Sequence, residues 1–174
     1  MAITLGTTLS PLLLTAAATA PTSATSKGRS TSVSYIRDKA LNSFPLKKGE
    51  NAEDFLGAAI DLFKTGRWAQ SLLHCHQCIE LALKAGLNAL GLERRGHGLN
   101  ELLEELIQYR RGFERFRGKI KVLDQYYIPT RYANAFYSGS AAEHYTKKQA
   151  EEALKYAEEI FQGLKNLVAE RKAP

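Results

Sequence analysis

Apolar residues recur at helical spacing in five stretches of the chain, and none alternates with the period of two that a half-buried strand requires. In the first, Phe55, Ala58, Ala59, Leu62 and Phe63 share one face. Asn51, with Asp54 three residues on, reads as its capped start, and Thr65-Gly66 as its stop. The second is predicted over Arg67–Leu90, on the order of 35 Å at 1.5 Å per residue. Trp68, Leu72, Cys75, Ile79, Ala82, Leu83 and Leu90 form one stripe there, and Ala69, Leu73 and Leu87 another. A helix apolar on two sides is central, or packs the core on one side and a partner on the other. The third carries Leu99, Leu102, Leu103, Leu106 and Ile107, with Glu101, Glu104 and Glu105 outside. A short fourth helix, about residues 114–127, turns Ile120, Leu123 and Tyr127 inward, and Pro129 stops it. Residues 128–145 read as a loop. Thr146 and Gln149 have capping-box spacing and open the last helix. Its stripe is Ala150, Ala153, Leu154, Ala157, Ile160, Phe161, Leu164 and Val168. The sum is an all-α, up-and-down bundle of about five helices.

The first 48 residues are a different material. Residues 1–32 are rich in Thr, Ala and Ser with one apolar patch at Leu12–Leu14. They cannot bury enough apolar surface to offset ordering, so residues 1–48 are expected to be a disordered extension. A short helix fits residues 34–44, with Pro45 as its breaker. No Lys or Arg precedes Lys27, so the basic start of a secretory signal is missing, and the other reading is an over-long gene start. The helical domain is placed at residues 49–172.

Charge sharpens this division. The chain has 174 residues and a formal net charge of +6. Residues 1–50 hold six Lys/Arg against two Asp/Glu, and residues 51–174 eighteen against sixteen. The basic balance therefore belongs mostly to the extension and says little about nucleic acid for the folded body. Within that body, Arg110, Arg111, Arg115, Arg117, Lys119 and Lys121 stand against Glu114 alone, with Phe113 and Phe116 interleaved. Such a run is usually a solvated face. Its Arg excess and aromatics also suit RNA or an acidic partner, which makes Arg110, Arg111, Arg115 and Arg117 the candidate contacts.

Cys75 and Cys78 are the only cysteines. They supply no disulfide framework, and a reducing, cytoplasmic setting is expected. In "HCHQC" (74–78), His74, Cys75 and Cys78 do not share one helix face, so buried packing is the better reading and no metal is expected. No metal-binding carboxylate set, Gly-rich phosphate loop or nucleophile–base pair is present, so no cofactor is expected either. No apolar run approaches the ~20 residues of a membrane span.

Three pieces, in order, carry a resemblance. "CIELALKAGL" holds Glu80 and Lys84, "RRGHGLNELLEEL" holds His97, and "YYIPTRYANA" holds Tyr127, Arg131 and Tyr132. Over roughly residues 50–170 the chain resembles the HEPN family, helical domains found in prokaryotes and higher eukaryotes. Glu80 and Lys84 match the family's Glu-x-x-x-Lys, and Tyr127, Arg131 and Tyr132 its Tyr-x-x-x-Arg-Tyr corner. The resemblance implies a helical bundle, often dimeric. It also implies a nucleotide, or a small nucleotidyltransferase, as partner. A subset of the family are metal-independent ribonucleases, some of them toxins, that use an Arg, four to six intervening residues and then a His, assembled across a dimer. Here the next His after Arg131 is His144, with twelve residues between, and Ala133 stands where the family usually has Pro. Arg67 and His74 have the right spacing in the wrong place. The expectation is therefore a non-catalytic binding module forming a homodimer, with Lys84, His97, Tyr127 and Arg131 lining a nucleotide or anion cleft. The alternatives are a ribonuclease using Arg131 and His144, and an assembly module without ligand.

Two roles stay open at the corner. Arg131 suits pairing with a buried acid such as Glu80 and suits bidentate phosphate binding. Tyr126, Tyr127 or Tyr132 suits base stacking, though Tyr132 reads better as packing with its hydroxyl bonded. Lys84, one turn after Glu80, reads first as an i,i+4 pair.

Overall fold

Two Schellman turns cut the chain, the first at the glycine read from the sequence as a helix stop. Gly66 (φ +76°) lets the Arg67 N–H reach the Leu62 carbonyl at 2.9 Å and its own N–H reach Phe63 at 3.0 Å. Gly91 (φ +81°) repeats the arrangement, with the Leu92 N–H on the Leu87 carbonyl at 3.0 Å. The computed structural model describes residues 31–170. Its main helices are α1 (Thr31–Lys64), α2 (Trp68–Ala89), α3 (Leu99–Tyr109), α4 (Arg117–Asp124) and α7 (Lys147–Glu170). Two shorter ones are α5 (Tyr127–Arg131) and α6 (Ala141–His144). Short 3₁₀ turns at Arg111–Phe116 and Ala133–Ala135 link them, and no strand occurs among the described residues.

Helix α2 is the axis of the bundle, as its double stripe requires. It packs against α1 and α7 along its length and against α3, α4, α5 and α6. Leu72, Cys75, Cys78, Ile79, Leu83 and Leu87 are buried in it. Fully burying each such side chain is worth about 1.5–3 kcal/mol. The α3 stripe is buried as predicted. Close approach of α7 needs Gly86, where a Cβ would lie 3.3 Å from Leu164 Cδ2.

Several boundaries differ from the sequence reading. One helix runs through Pro45 and past Asn51, so Pro45 is no breaker and Asn51 no cap. Within a helix proline removes one backbone donor and strains the turn before it, which neighbouring turns can absorb. Pro129 does not stop a helix either. It is the third residue of α5, in the first turn, where its missing N–H has no intrahelical acceptor to lose. The span read as a loop, 128–145, holds α5 and α6, and Ser140 with Glu143 forms a capping box at α6. The box foreseen at α7 is present: Gln149 Oε1 accepts from the Thr146 N–H at 2.9 Å. Near the end of α7, Leu167 takes the buried place expected of Val168. Of the expected disordered extension, residues 1–48, residues 1–30 lie outside the described residues, while residues 31–48 are helical as the start of α1.

Candidate functional site

Glu80 is the polar anchor of the bundle. It sits on α2 among apolar neighbours with its side chain only 5% exposed. Burying a carboxylate requires partners, and two are supplied. Lys84 Nζ, one turn on, lies 2.7 Å from Oε1. His97 Nδ1 lies 3.1 and 3.0 Å from the two carboxylate oxygens. His97 reaches inward because Gly96 (φ +101°) turns the chain before α3. With Nδ1 directed to Glu80, Nε2 is the ring nitrogen left to the open side of a side chain that is 57% exposed.

Tyr127 closes the cluster. Its ring stacks with His97 at 5.3 Å and with His76 at 4.8 Å between centroids. Tyr127 and Arg131 are four apart on α5, so one helical turn carries the guanidinium over the ring, 5.4 Å from its centroid. Arg131 Nη1 donates to the Tyr127 hydroxyl at 3.1 Å. Arg131 therefore does not pair with Glu80, whose oxygens are taken by Lys84 and His97. Among the described residues Arg131 has no carboxylate partner. One of its five N–H donors is engaged, and its position is set by a neutral aromatic.

Lys84, His97, Tyr127 and Arg131 thus form one connected group, and Lys84 is its neutralised, inward end. His144 is not part of it. Its Nε2 lies 2.7 Å from the Ser138 carbonyl and its ring stacks on Phe136 at 4.0 Å. His74 likewise turns to its own helix, with Nδ1 2.8 Å from the Gln70 carbonyl. Tyr132 is not packed as expected: it is 47% exposed and is the first residue beyond α5. Tyr126 is the buried one, edge-on to Tyr145.

Two of the six cations in the basic run are paired with carboxylates among the described residues. Arg117 makes two bonds to Glu104, at 2.7 and 2.9 Å, which holds the Glu104 carboxyl below its ordinary range. Lys119 pairs with Glu159. Arg110 donates to the Tyr109 carbonyl, and Arg115 lies over the Phe116 ring at 4.7 Å. Phe116 is fully buried, so it is core and not a stacking surface as the interleaving suggested. Cys75 and Cys78 are buried and unbridged. Burial pushes the Cys75 thiol up to about 12 and the Cys78 thiol up as well.

His76 was missed. It is fully enclosed, stacked on Tyr127, with Nε2 3.5 Å from Asp124 Oδ1. That distance falls short of a directed hydrogen bond, and neither ring nitrogen has one. Asp124 is meanwhile committed to α3, accepting from the Leu99 N–H at 2.8 Å and from Asn100 at 2.5 Å. Spacing held the signal: His76 lies four after Leu72 and four before Glu80, both on the buried side of α2.

Fold and site together define a helical bundle with a polar cluster at the junction of its central helix, the turn before α3 and the corner after α4. The HEPN domain family model matches residues 49–167, and the chain belongs to that family. It is 29% identical over 131 residues to "Putative toxin MJ1304" of Methanocaldococcus jannaschii, covering 70% of this chain and 86% of that protein. Among solved structures it is similar to TT1696 of Thermus thermophilus (36% identity, TM-score 0.67, 71% of this chain and 97% of that one). It is also similar to ST0689, an archaeal HEPN homologue (27% identity, TM-score 0.61, 71% and 97%).

Proposed function

We propose that the chain is a non-catalytic HEPN binding module whose His97–Tyr127–Arg131 cleft takes the phosphate of a nucleotide. The observation that carries this reading is Arg131, fixed on Tyr127 with no carboxylate against it among the described residues. A planar guanidinium with open donors and a preset position suits bidentate phosphate binding. His97 Nε2 adds a second polar group across the same ring. We further propose that the module works as a homodimer, with a small nucleotidyltransferase as its protein partner, in the cytoplasm. The unbridged cysteines suit a reducing compartment. No helix among the described residues is long and apolar enough to cross a membrane. Equilibrium dialysis against nucleoside mono-, di- and triphosphates tests the cleft. Retention by wild type and loss in Arg131→Ala is the expected result; equal retention by both contradicts it.

A second reading draws on the toxin named among the relatives: a metal-independent ribonuclease using Arg131 and His144. Against it stands the His144 ring, held at Ser138 and Phe136 and apart from the cleft. Wild-type protein is expected to leave RNA intact without metal. Cleavage abolished by both Arg131→Ala and His144→Ala would establish the ribonuclease instead.

A further inference from the structure

We propose that Tyr132 is the platform on which the base of the bound nucleotide stacks while Arg131 holds the phosphate, an inference that rests on the anion-cleft reading above. The corner offers three tyrosines, and packing separates them. Tyr126 is buried edge-on against Tyr145, and burial pushes its hydroxyl pKa up. Tyr127 is covered by His76, His97 and the Arg131 guanidinium. Tyr132 alone of the three keeps an open ring, with no aromatic or cationic neighbour against it among the described residues, and it is 47% exposed.

Its position is specific. The backbone leaves α5 at Tyr132 in an extended conformation (φ −110°, ψ +123°), and its N–H bonds the Ile128 carbonyl at 3.0 Å. That bond ties its backbone to Ile128, itself 53% exposed. Exposing an aromatic ring and an isoleucine together leaves apolar surface in water that folding could have covered. Adjacent Cα atoms are about 3.8 Å apart, so one ligand can meet Arg131 and Tyr132 at once. The ligand that suits an open aromatic ring one residue along the chain from a guanidinium without a carboxylate partner carries both an anion and an aromatic ring. A nucleotide has both, and stacking tolerates every base. Tyr137 is also exposed, but it lies five residues further on and away from the guanidinium in sequence, which makes it the control.

Isothermal titration of the whole chain with ADP and with pyrophosphate separates the two contributions, because the probes share the diphosphate and differ in the nucleoside. Wild type is expected to bind ADP tighter than pyrophosphate. Tyr132→Ala should weaken ADP about tenfold and leave pyrophosphate unchanged, Tyr132→Phe should keep ADP affinity, and Tyr137→Ala should change neither. Arg131→Ala should weaken both probes. Tyr132→Ala binding ADP as wild type does, or Tyr137→Ala losing it, overturns the platform and leaves the anion cleft standing. Wild type binding neither probe overturns the cleft and the platform together.

Discussion

His76 shows how a single residue can set the response to pH. A neutral imidazole has one N–H to place, and here it is buried with no directed acceptor, which costs about 1–3 kcal/mol. Burial also disfavours the imidazolium and lowers its pKa, while the carboxylates of Glu80 and Asp124 oppose that shift and His97 adds to it. In the unfolded chain the same group titrates near ~6.5. Below that pH the unfolded state binds the proton more readily. This contribution to stability is therefore present above ~6.5 and is lost as pH falls from there through the lowered pKa of the folded state. Urea midpoints should drop between pH 7.5 and pH 5.5, and His76→Leu should flatten that slope even if it lowers the plateau. Equal slopes in both proteins would remove His76 from the explanation. Residue identity at the corner was legible in the sequence, but residue role was not. Arg131 and Tyr132 were the two side chains to explain: Arg131 stayed open between two roles, and Tyr132, read as packing, is 47% exposed. Glu80 lies 17 residues from His97 in sequence and Arg131 only four from Tyr127, so the local partner was the readable one once α5 was known to be helical.

At the scale of elements, long periodic segments were the readable ones. Helices α2, α3 and α7 follow their stripes because each buries a continuous face. Helices α5 and α6 have five and four residues, too few for a 3.6-residue period to show. Pro45 and Pro129 misled for a shared reason: proline forbids one hydrogen bond and is tolerated where neighbouring turns absorb the loss or where no bond was due. The shift from Val168 to Leu167 is one residue in the drift of a stripe along a 24-residue helix. The α2–α7 contact gives the sharpest test of packing. Gly86→Leu would drive a side chain into Leu164, Leu167 and Leu106, and overpacking of this kind costs typically about 1–3 kcal/mol. The urea midpoint should fall with an unchanged slope. A variant as stable as wild type would mean that α7 can move away at no cost.

Across the described part of the molecule, several cations are matched by acids. Arg94 pairs with Glu105, Arg117 with Glu104, Lys119 with Glu159, Lys165 with Glu53 and Lys84 with Glu80. The exposed pairs among these add little stability, whereas Lys84–Glu80 is buried; in the basic run they compensate Arg117 and Lys119. Composition had already located most of the excess charge in residues 1–50. Arg131 is set apart from the basic run by its place beside the Glu80 cluster, where an aromatic hydroxyl holds it. The most direct measurement is the melting temperature with the dialysis-selected nucleotide at about 100 times its Kd, where one bound ligand adds about 2.7 kcal/mol. For a chain of this size that is a rise of roughly 5–10 °C. The account predicts that rise in wild type and its absence in Arg131→Ala; an equal rise in both proteins would contradict it.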